Sequence, residues 1–385
     1  MTDFEFYNPV RIFFGKNQIS KIAPLIPSDA KIMLMYGGGS IFRNNVYNQV
    51  KEALRGSDIT EFGGIEPNPS YETCMKAADI IKSKNINFIL AAGGGSVIDA
   101  AKFTAAAALF SSGDPWDILA RKIPVTASLP IGVILTLPAT GTEMNMNAVI
   151  SRKSTSEKLS FSSPHSLPLF SILQPEAAAT LPRNQVANGV VDAFVHVIEQ
   201  YLTYPVNAQI QDRFAEAILL TLLEEGPKAY SDPSDYEAMS NLMWSATMAL
   251  NGLIACGVPG DWSVHSIGHE LTALHGLDHA VTLAVVLPGL WKVLREEKKG
   301  KLLQYAERVW KITEGIEDER IDLAIRKTED FFESLGIKTR LSDYGLSRET
   351  IEKIAGRFEG RNWLELGDRG LTTPDVTRRA LEKQL

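Results

Sequence analysis

The sequence predicts an α/β N-terminal domain built on a parallel sheet, followed by an all-α C-terminal domain. Two observations carry this. Through the first half, short apolar β-rich runs alternate with helical stretches, and such alternation implies a parallel sheet covered on both faces. After "TLPRNQ" (180–185) Ala, Leu, Glu and Gln dominate and β-branched runs become scarce. The boundary falls at residue 182, giving domains 1–182 and 183–385. A chain of 385 residues accommodates two domains on a prior of roughly 150 residues each.

The elements follow in order. "RIFF" (11–14), "KIMLMY" (31–36), "NFILAA" (87–92) and "GVILTL" (132–137) read as buried strands, being short, apolar and bounded by Gly or Pro. Between them 41–55, 71–84 and 96–110 carry helical periodicity. In the second half 186–203, 206–225, 235–255, 262–275, 280–296, 300–313 and 318–335 read as helices. The tail 347–370 reads as a short helix followed by an irregular stretch.

Composition excludes several classes. Hydrophobic residues make up 45% and charged residues 22%, ordinary values for a globular protein. The formal charge of −7 argues against a nucleic-acid partner, which would want a basic face. Cys74 and Cys256 are the only cysteines, so a disulfide framework is not expected and a cytoplasmic address is. The start "MTDFEFYNPV" lacks the basic and apolar regions of a secretory signal. No apolar run approaches the ~18 residues of a membrane span, so no membrane partner is expected.

A triple glycine and a serine follow a strand twice, in "MLMYGGGS" (33–40) and "LAAGGGSVIDAAK" (90–102). Glycines at a strand's carboxyl end let a ligand approach the backbone, and the next helix N-terminus offers N–H groups and partial positive charge to phosphate. Gly94, Gly95 and Ser96 are thus expected to hold a pyrophosphate, with Asp99 and Lys102 on one face of the helix that follows. "TLPATGTE" (136–143) adds hydroxyls at Thr136, Thr140 and Thr142. Either turn alone is no more than a tight turn, and neither is a G-x-G-x-x-G fingerprint. All three together at strand ends favour a ligand. The first strand ends in Gly37, Gly38, Gly39 and Ser40 without the acid that an NAD site places on the ribose. NADP is therefore favoured, with Ser40 to donate to the 2′-phosphate and Arg43 or Lys158 to neutralise it.

Four of the six histidines fall within "WSVHSIGHELTALHGLDHA" (262–280): His265, His269, His275 and His279. A fifth, His196, follows Asp192 by four residues in "NGVVDAFVHVIEQY" (188–201), a spacing that puts both on one helix face. His265 and His279 cannot share an ion from one straight helix, because fourteen residues span about 21 Å. The chain must fold back, and "HGLD" (275–278) offers Gly276 as a helix stop and Asp278 as the next cap. Asp192, His196, His265 and His279 then make a nitrogen–oxygen site suited to divalent zinc or iron. His275 reads as a helix C-terminal cation and His165 as an ordinary loop residue.

These segments resemble the iron-containing, group III alcohol dehydrogenase family over essentially the whole chain. The nearest branch is similar to the bacterial NADPH-dependent broad-range aldehyde reductases and butanol dehydrogenases. The resemblance implies a Rossmann-like N-terminal domain and an all-helical C-terminal domain, as in dehydroquinate synthase-like folds, with a cleft between them. It implies metal ligation by Asp192, His196, His265 and His279. It implies NADP(H) contacts from Gly37, Gly38, Gly39, Ser40, Gly94, Gly95, Ser96, Asp99, Thr136, Thr140, Thr142 and Lys158. His269 is expected near the nicotinamide and, with Asp99, is a candidate catalytic residue. The expected reaction reduces a small aldehyde to its alcohol in a homodimer, the ion acting as Lewis acid and His269 as proton relay. "GTE" stands where the family more often has "GSE", which keeps the hydroxyl. The rival readings are an NADH-preferring butanol dehydrogenase, a dehydroquinate-synthase-like lyase or cyclase, a metal hydrolase and a non-catalytic binding protein.

Overall fold

In the computed structural model, which describes residues 1–385, the apolar runs of the first half become strands lying side by side. In chain order the first half holds β1 (Arg11–Phe14), β2 (Lys31–Tyr36), α1 (Ser40–Arg43), α2 (Val46–Ala53), β3 (Asp58–Phe62), α3 (Tyr71–Lys84), β4 (Phe88–Gly93), α4 (Gly95–Leu109), α5 (Asp117–Ala120), β5 (Ile131–Leu135), β6 (Asn147–Arg152), β7 (Glu157–Ser162) and β8 (Phe170–Leu173). Helices then follow: α6 (Arg183–Tyr201), α7 (Gln209–Ser231), α8 (Tyr236–Ala249), α9 (Ser263–His275), α10 (His279–Val293), α11 (Arg295–Arg308), α12 (Glu317–Ser334), α13 (Arg348–Gly360) and α14 (Pro374–Glu382).

Six strands pair in the order β1-β8-β5-β4-β2-β3, every pair parallel. β6 and β7 form a separate antiparallel hairpin. Strands β4, β5 and β8 are buried along their whole length, as a sheet with both faces covered requires. The small side chains of "FTAAAALF" bury the second half of α4 against it. The strand order reverses between β2 and β4: β3 continues on one side, while β4, β5, β8 and β1 extend on the other. Connections from strands at such a switch point run to opposite faces of the sheet and leave a crevice at the carboxyl ends. Tyr36 of β2 pairs with Ala92 of β4, so the two glycine turns leave the sheet side by side at that point.

Four strands escaped the sequence reading. β3 and the β6–β7 hairpin alternate polar with apolar residues, and β8 has only four residues. The expected helix over 41–55 is two helices, because Asn45 adopts a left-handed conformation (φ 62°) at its centre, one that Asn tolerates. The helix expected over 235–255 stops at Ala249, and α14 lies beyond the last predicted helix.

The chain divides into two units after Pro182, but two segments exchange sides. One unit is Tyr7–Pro182 with Asp232–Asn251; the other is Met1–Phe6, Arg183–Ser231 and Gly252–Leu385. Thus α8, which the sequence assigns to the helical domain, belongs to the α/β unit. Thr247 Oγ1 donates to Glu143 Oε1 at 2.5 Å, Trp244 meets Phe14 edge-on at 6.0 Å, and Lys16 Nζ lies 4.4 Å over the Tyr236 ring. Helix propensity is a local property; these contacts are tertiary and decide where the helix packs.

In the helical unit, α9 ends at Gly276 in the left-handed region (φ 70°), and α10 begins at His279. Asp278 occupies the position before α10 but does not cap it with its side chain, which instead accepts from Asn188 Nδ2 at 3.0 Å. A Cβ on Gly268 would lie 2.8 Å from Thr282 Oγ1 and 3.2 Å from Leu283, so its absence lets α9 and α10 pack closely. No helix is long and apolar enough to cross a membrane.

Gly289 plays the same part between α10 and α14. A Cβ there would stand 2.2 Å from the Ala380 carbonyl oxygen, and backbone cannot rotate away. Gly289→Ala is expected to cost about 1–3 kcal/mol by overpacking, read as a lower midpoint in urea denaturation of the full chain; an unchanged midpoint would contradict this packing.

Candidate metal centre and dinucleotide turns

Helix α6 is buried along most of its length and carries Asp192 (3% exposed) and His196 (4% exposed) one turn apart. Helix α9 brings His265 and α10 brings His279 from its first position. The fold-back at Gly276 therefore does what the histidine spacing required. Asp192 Oδ1 lies 3.6 Å from His196 Nε2, 4.0 Å from His265 Nε2 and 3.9 Å from His279 Nε2. These separations exceed hydrogen-bond length. They suit donors sharing one ion, since two atoms each about 2.1 Å from a metal lie at most about 4.2 Å apart. Asp192, His265 and His279 form a mutual set with ligand atoms within 4.8 Å of one another. His196 stands beside that set, its ring stacked on His265 at 4.7 Å. One carboxylate and neutral imidazoles fit a divalent zinc or iron ion. Burial pushes the His196 imidazole down to about 4, leaving it neutral, as a ligand must be.

Sequence reasoning missed Glu199. It follows Asp192 by seven residues on the same face of α6 and is 2% exposed. Its Oε2 meets His265 Nδ1 in a short hydrogen bond, and its Oε1 accepts from Val264 N at 2.7 Å. The i, i+4, i+7 spacing of Asp192, His196 and Glu199 was the available signal. Trp262, in the left-handed region (φ 60°) before α9, packs its indole 5.5 Å from the His265 ring.

The other histidines sort clearly. His269 is half-buried, with its ring 5.2 Å from that of His279 and 6.3 Å from that of His265. His275, expected as a helix-terminal cation, instead bonds Thr350 Oγ1 through Nε2 at 3.2 Å. Burial, then Lys353, push its pKa down, while it keeps its place in the last turn of α9. His165 sits in its proline-flanked turn, its backbone N–H bonded to Ser163 Oγ at 3.2 Å.

In the α/β unit the sequence-selected turns meet at the carboxyl edge. Gly94 stands at the N-cap of α4 without any side-chain bond, so no side chain occupies the helix start. A Cβ on Gly95 would lie 2.6 Å from Thr140 Oγ1, and one on Gly94 would lie 2.9 Å from Leu137. The threonine loop thus closes directly on the helix start. Thr136 is buried beside β4, its N–H bonded to Gly93 O at 3.0 Å. At 37–39 only Gly39 has positive φ (104°). A Cβ on Gly38 would meet nothing within 4 Å, so the fold itself does not call for glycine there. Ser40 opens α1 and Arg43 ends it, exposed. Lys158 is buried on β7 and donates to Asn68 Oδ1 at 2.9 Å.

Asp99 and Thr142 lie in one buried network. Thr142 Oγ1 donates to Asp99 Oδ1 at 2.7 Å, and Val149 N donates to Asp99 Oδ2 at 2.9 Å. Lys102, wholly buried, bonds Thr142 Oγ1, Asn145 O and Asn147 O, each at 2.8 Å. Both oxygens of Asp99 accept bonds inside the fold, and this network supports the threonine loop from beneath.

The family pattern described as iron-containing alcohol dehydrogenase matches residues 9–175, and that of the Fe-containing alcohol dehydrogenase family, C-terminal, matches 186–360. The chain is 54% identical to the NADPH-dependent aldehyde reductase YqhD of Escherichia coli, over 99% of both chains. It is 40% identical to the NADH-dependent butanol dehydrogenase B of Clostridium acetobutylicum, over 92% of both. Among solved structures, E. coli YqhD superposes with a TM-score of 0.98, covering 100% of this chain and 99% of that one at 54% identity. The NADH-dependent butanol dehydrogenase A of Thermotoga maritima superposes with a TM-score of 0.95, covering 100% of this chain and 99% of that one at 35% identity.

The buried lysine gives a signed test. Burial pushes the Lys102 ammonium down to about 8, whereas an unfolded lysine titrates near ~10.4. Between these values the unfolded chain binds more protons, so stability contributed at this site rises with pH; below about 8 the cost of burial is fully present. Lys102→Met is expected to lose about 3–5 kcal/mol at neutral pH, because it strands a buried carboxylate. It is also expected to abolish this part of the pH slope, compared with wild type by urea melts at successive pH values.

Proposed function

The chain belongs to the iron-containing alcohol dehydrogenase family, and we propose that it reduces short-chain aldehydes to primary alcohols, reversibly, with NADPH as hydride donor. The observation that carries this reading is the approach of three imidazole Nε2 atoms to Asp192 Oδ1 at 3.6, 3.9 and 4.0 Å. When bound, the ion polarises the carbonyl oxygen and the nicotinamide supplies the hydride. Asp192, His265 and His279 hold the ion, with His196 as fourth ligand; zinc and iron both suit this set. His269, beside His279, holds the proton that the product oxygen takes up. Gly37, Gly38, Gly39, Ser40, Gly94, Gly95, Ser96, Thr136, Thr140 and Lys158 hold the dinucleotide, with Asp99 and Thr142 beneath them.

NADPH is favoured over NADH by charge. Residues 37–40 after β2 carry no carboxylate, and Ser40 and Arg43 suit a 2′-phosphate. The 54% identical relative is named for NADPH and the 40% identical one for NADH, so the family accommodates both. The exposed Phe4, Phe6 and Tyr7, just before the edge strand β1, support a homodimer joined there. Two free, buried cysteines agree with a cytoplasmic address.

Activity with butanal, followed by NADPH absorbance, tests the reading; absence of net NADPH oxidation across short aldehydes would favour the lyase or cyclase alternative. His265→Ala is expected to lose both metal, by elemental analysis, and activity. His269→Ala is expected to keep its metal and lose about 10²–10⁴-fold in kcat. Ser40→Asp places a like charge by the 2′-phosphate and is expected to raise KM for NADPH about tenfold or more while sparing NADH, a penalty of about 1.4 kcal/mol.

A further inference from the structure

Helix α9 begins without a cap of its own. The residue before it, Trp262, has φ 60° and makes no side-chain cap bond, a conformation that a bulky residue adopts only when its surroundings impose it. The first N–H groups of α9 find acceptors elsewhere. Ser263 N donates to Asp261 Oδ1 at 3.1 Å. Val264 N donates to Glu199 Oε1 at 2.7 Å and His265 N to Glu199 Oε2 at 3.2 Å. The same Oε2 meets His265 Nδ1. One carboxylate from α6 therefore fixes both the start of α9 and the ring it presents.

We propose that Glu199 is a positioning residue for the metal centre: it holds the His265 ring in the Nδ1–H tautomer with Nε2 turned toward Asp192, and locks α9 to α6 at the spacing the ion requires. The inference rests on the metal reading above. Glu199 sits on the helix that carries Asp192 and His196, so its bond to His265 ties ligands from two helices through a rigid turn. Carboxylate partners of this kind orient ligand imidazoles and raise their basicity. Its carboxyl oxygens also lie at a helix N-terminus, where backbone N–H groups lack intrahelical acceptors. Water cannot replace it freely. Behind Glu199 lies a cavity of about 20 Å³ shared with Asp261, Ser263 and Lys298 and otherwise lined by apolar side chains such as Leu202 and Leu287, room for a single water. Lys298 Nζ is held there by Asp261 Oδ2 and Leu202 O, each at 2.7 Å.

The test is zinc affinity of the metal-stripped full-length protein, by competition with a chromophoric chelator, together with the visible spectrum of the cobalt-substituted protein. Glutamine keeps one acceptor where glutamate has two, so in Glu199→Gln one N–H partner faces an amide NH₂. Glu199→Gln is expected to bind zinc about 10–100-fold more weakly with an altered cobalt spectrum. Asp261→Asn disturbs the same cluster without touching His265; it is expected to lower the melting temperature and leave both metal readouts at wild-type values. Wild-type affinity in Glu199→Gln, or equal loss in Asp261→Asn, overturns the inference while leaving the metal site standing. Should Glu199→Gln fail to fold, Glu199→Asp withdraws the carboxylate by one methylene and is expected to lose about tenfold; wild-type affinity there overturns it equally. A wild-type protein that takes up neither zinc nor cobalt overturns the metal reading and this inference together.

Discussion

A divalent ion requires its donors within about 2 Å of a single point, and in this chain the donors start on three separate helices. Asp192 supplies the fixed pole. It is a carboxylate 3% exposed in the middle of α6, a position that costs free energy unless positive charge or donors answer it. Along a straight helix His265 and His279 would lie about 21 Å apart. Instead the left-handed turn at Gly276 reverses the chain, and the bare Cα of Gly268 lets α10 settle against α9. Both imidazoles then reach Asp192 Oδ1 at about the same distance, 4.0 and 3.9 Å. Two glycines thus convert a sequence separation of fourteen residues into a chelate.

The α/β unit meets a different constraint with the same economy. Dinucleotide phosphates need backbone N–H groups that no side chain obstructs. The register of β2 against β4 places two such turns side by side at the point where strand order reverses. The threonine loop after β5 touches the start of α4 only because Gly95 has no Cβ. A loop packed this closely needs an anchor, which Lys102 provides through Thr142, Asn145 and Asn147. Asp99 balances that charge. The glycines and threonines of these turns are thus small residues whose geometry is held by charged groups inside the fold.

That division explains what could be read from the chain alone. Residues of a type that few others can replace were legible: the histidines that come together with Asp192, and the GGGS stretches as turns at strand ends. The long apolar strands and periodic helices were legible for the same reason, a strong local signal. Residues whose part depends on where another element packs were not. Glu199 looks like any helical glutamate until α9 arrives beside it. The bonds of Asp99 to Val149 and Thr142 likewise depend on how the β6 strand and the threonine loop pack against α4. The α8 helix was recognised as a helix and assigned to the wrong unit, because Thr247 and Trp244 reveal their partners Glu143 and Phe14 only in three dimensions.

The two kinds of chemistry also occupy separate parts of the chain. Every candidate metal ligand lies in Arg183–Ser231 or Gly252–Leu385, and every dinucleotide turn lies in Tyr7–Pro182. On the proposed function, coenzyme preference rests on a few side chains after β2, where a carboxylate would repel a 2′-phosphate and a serine would donate to one. Relatives named for NADPH and for NADH at 54% and 40% identity are what such a separation permits. The metal helices have less freedom: Glu199 of α6 accepts from Val264 N and His265 N at the start of α9, the helix that presents His265 to Asp192.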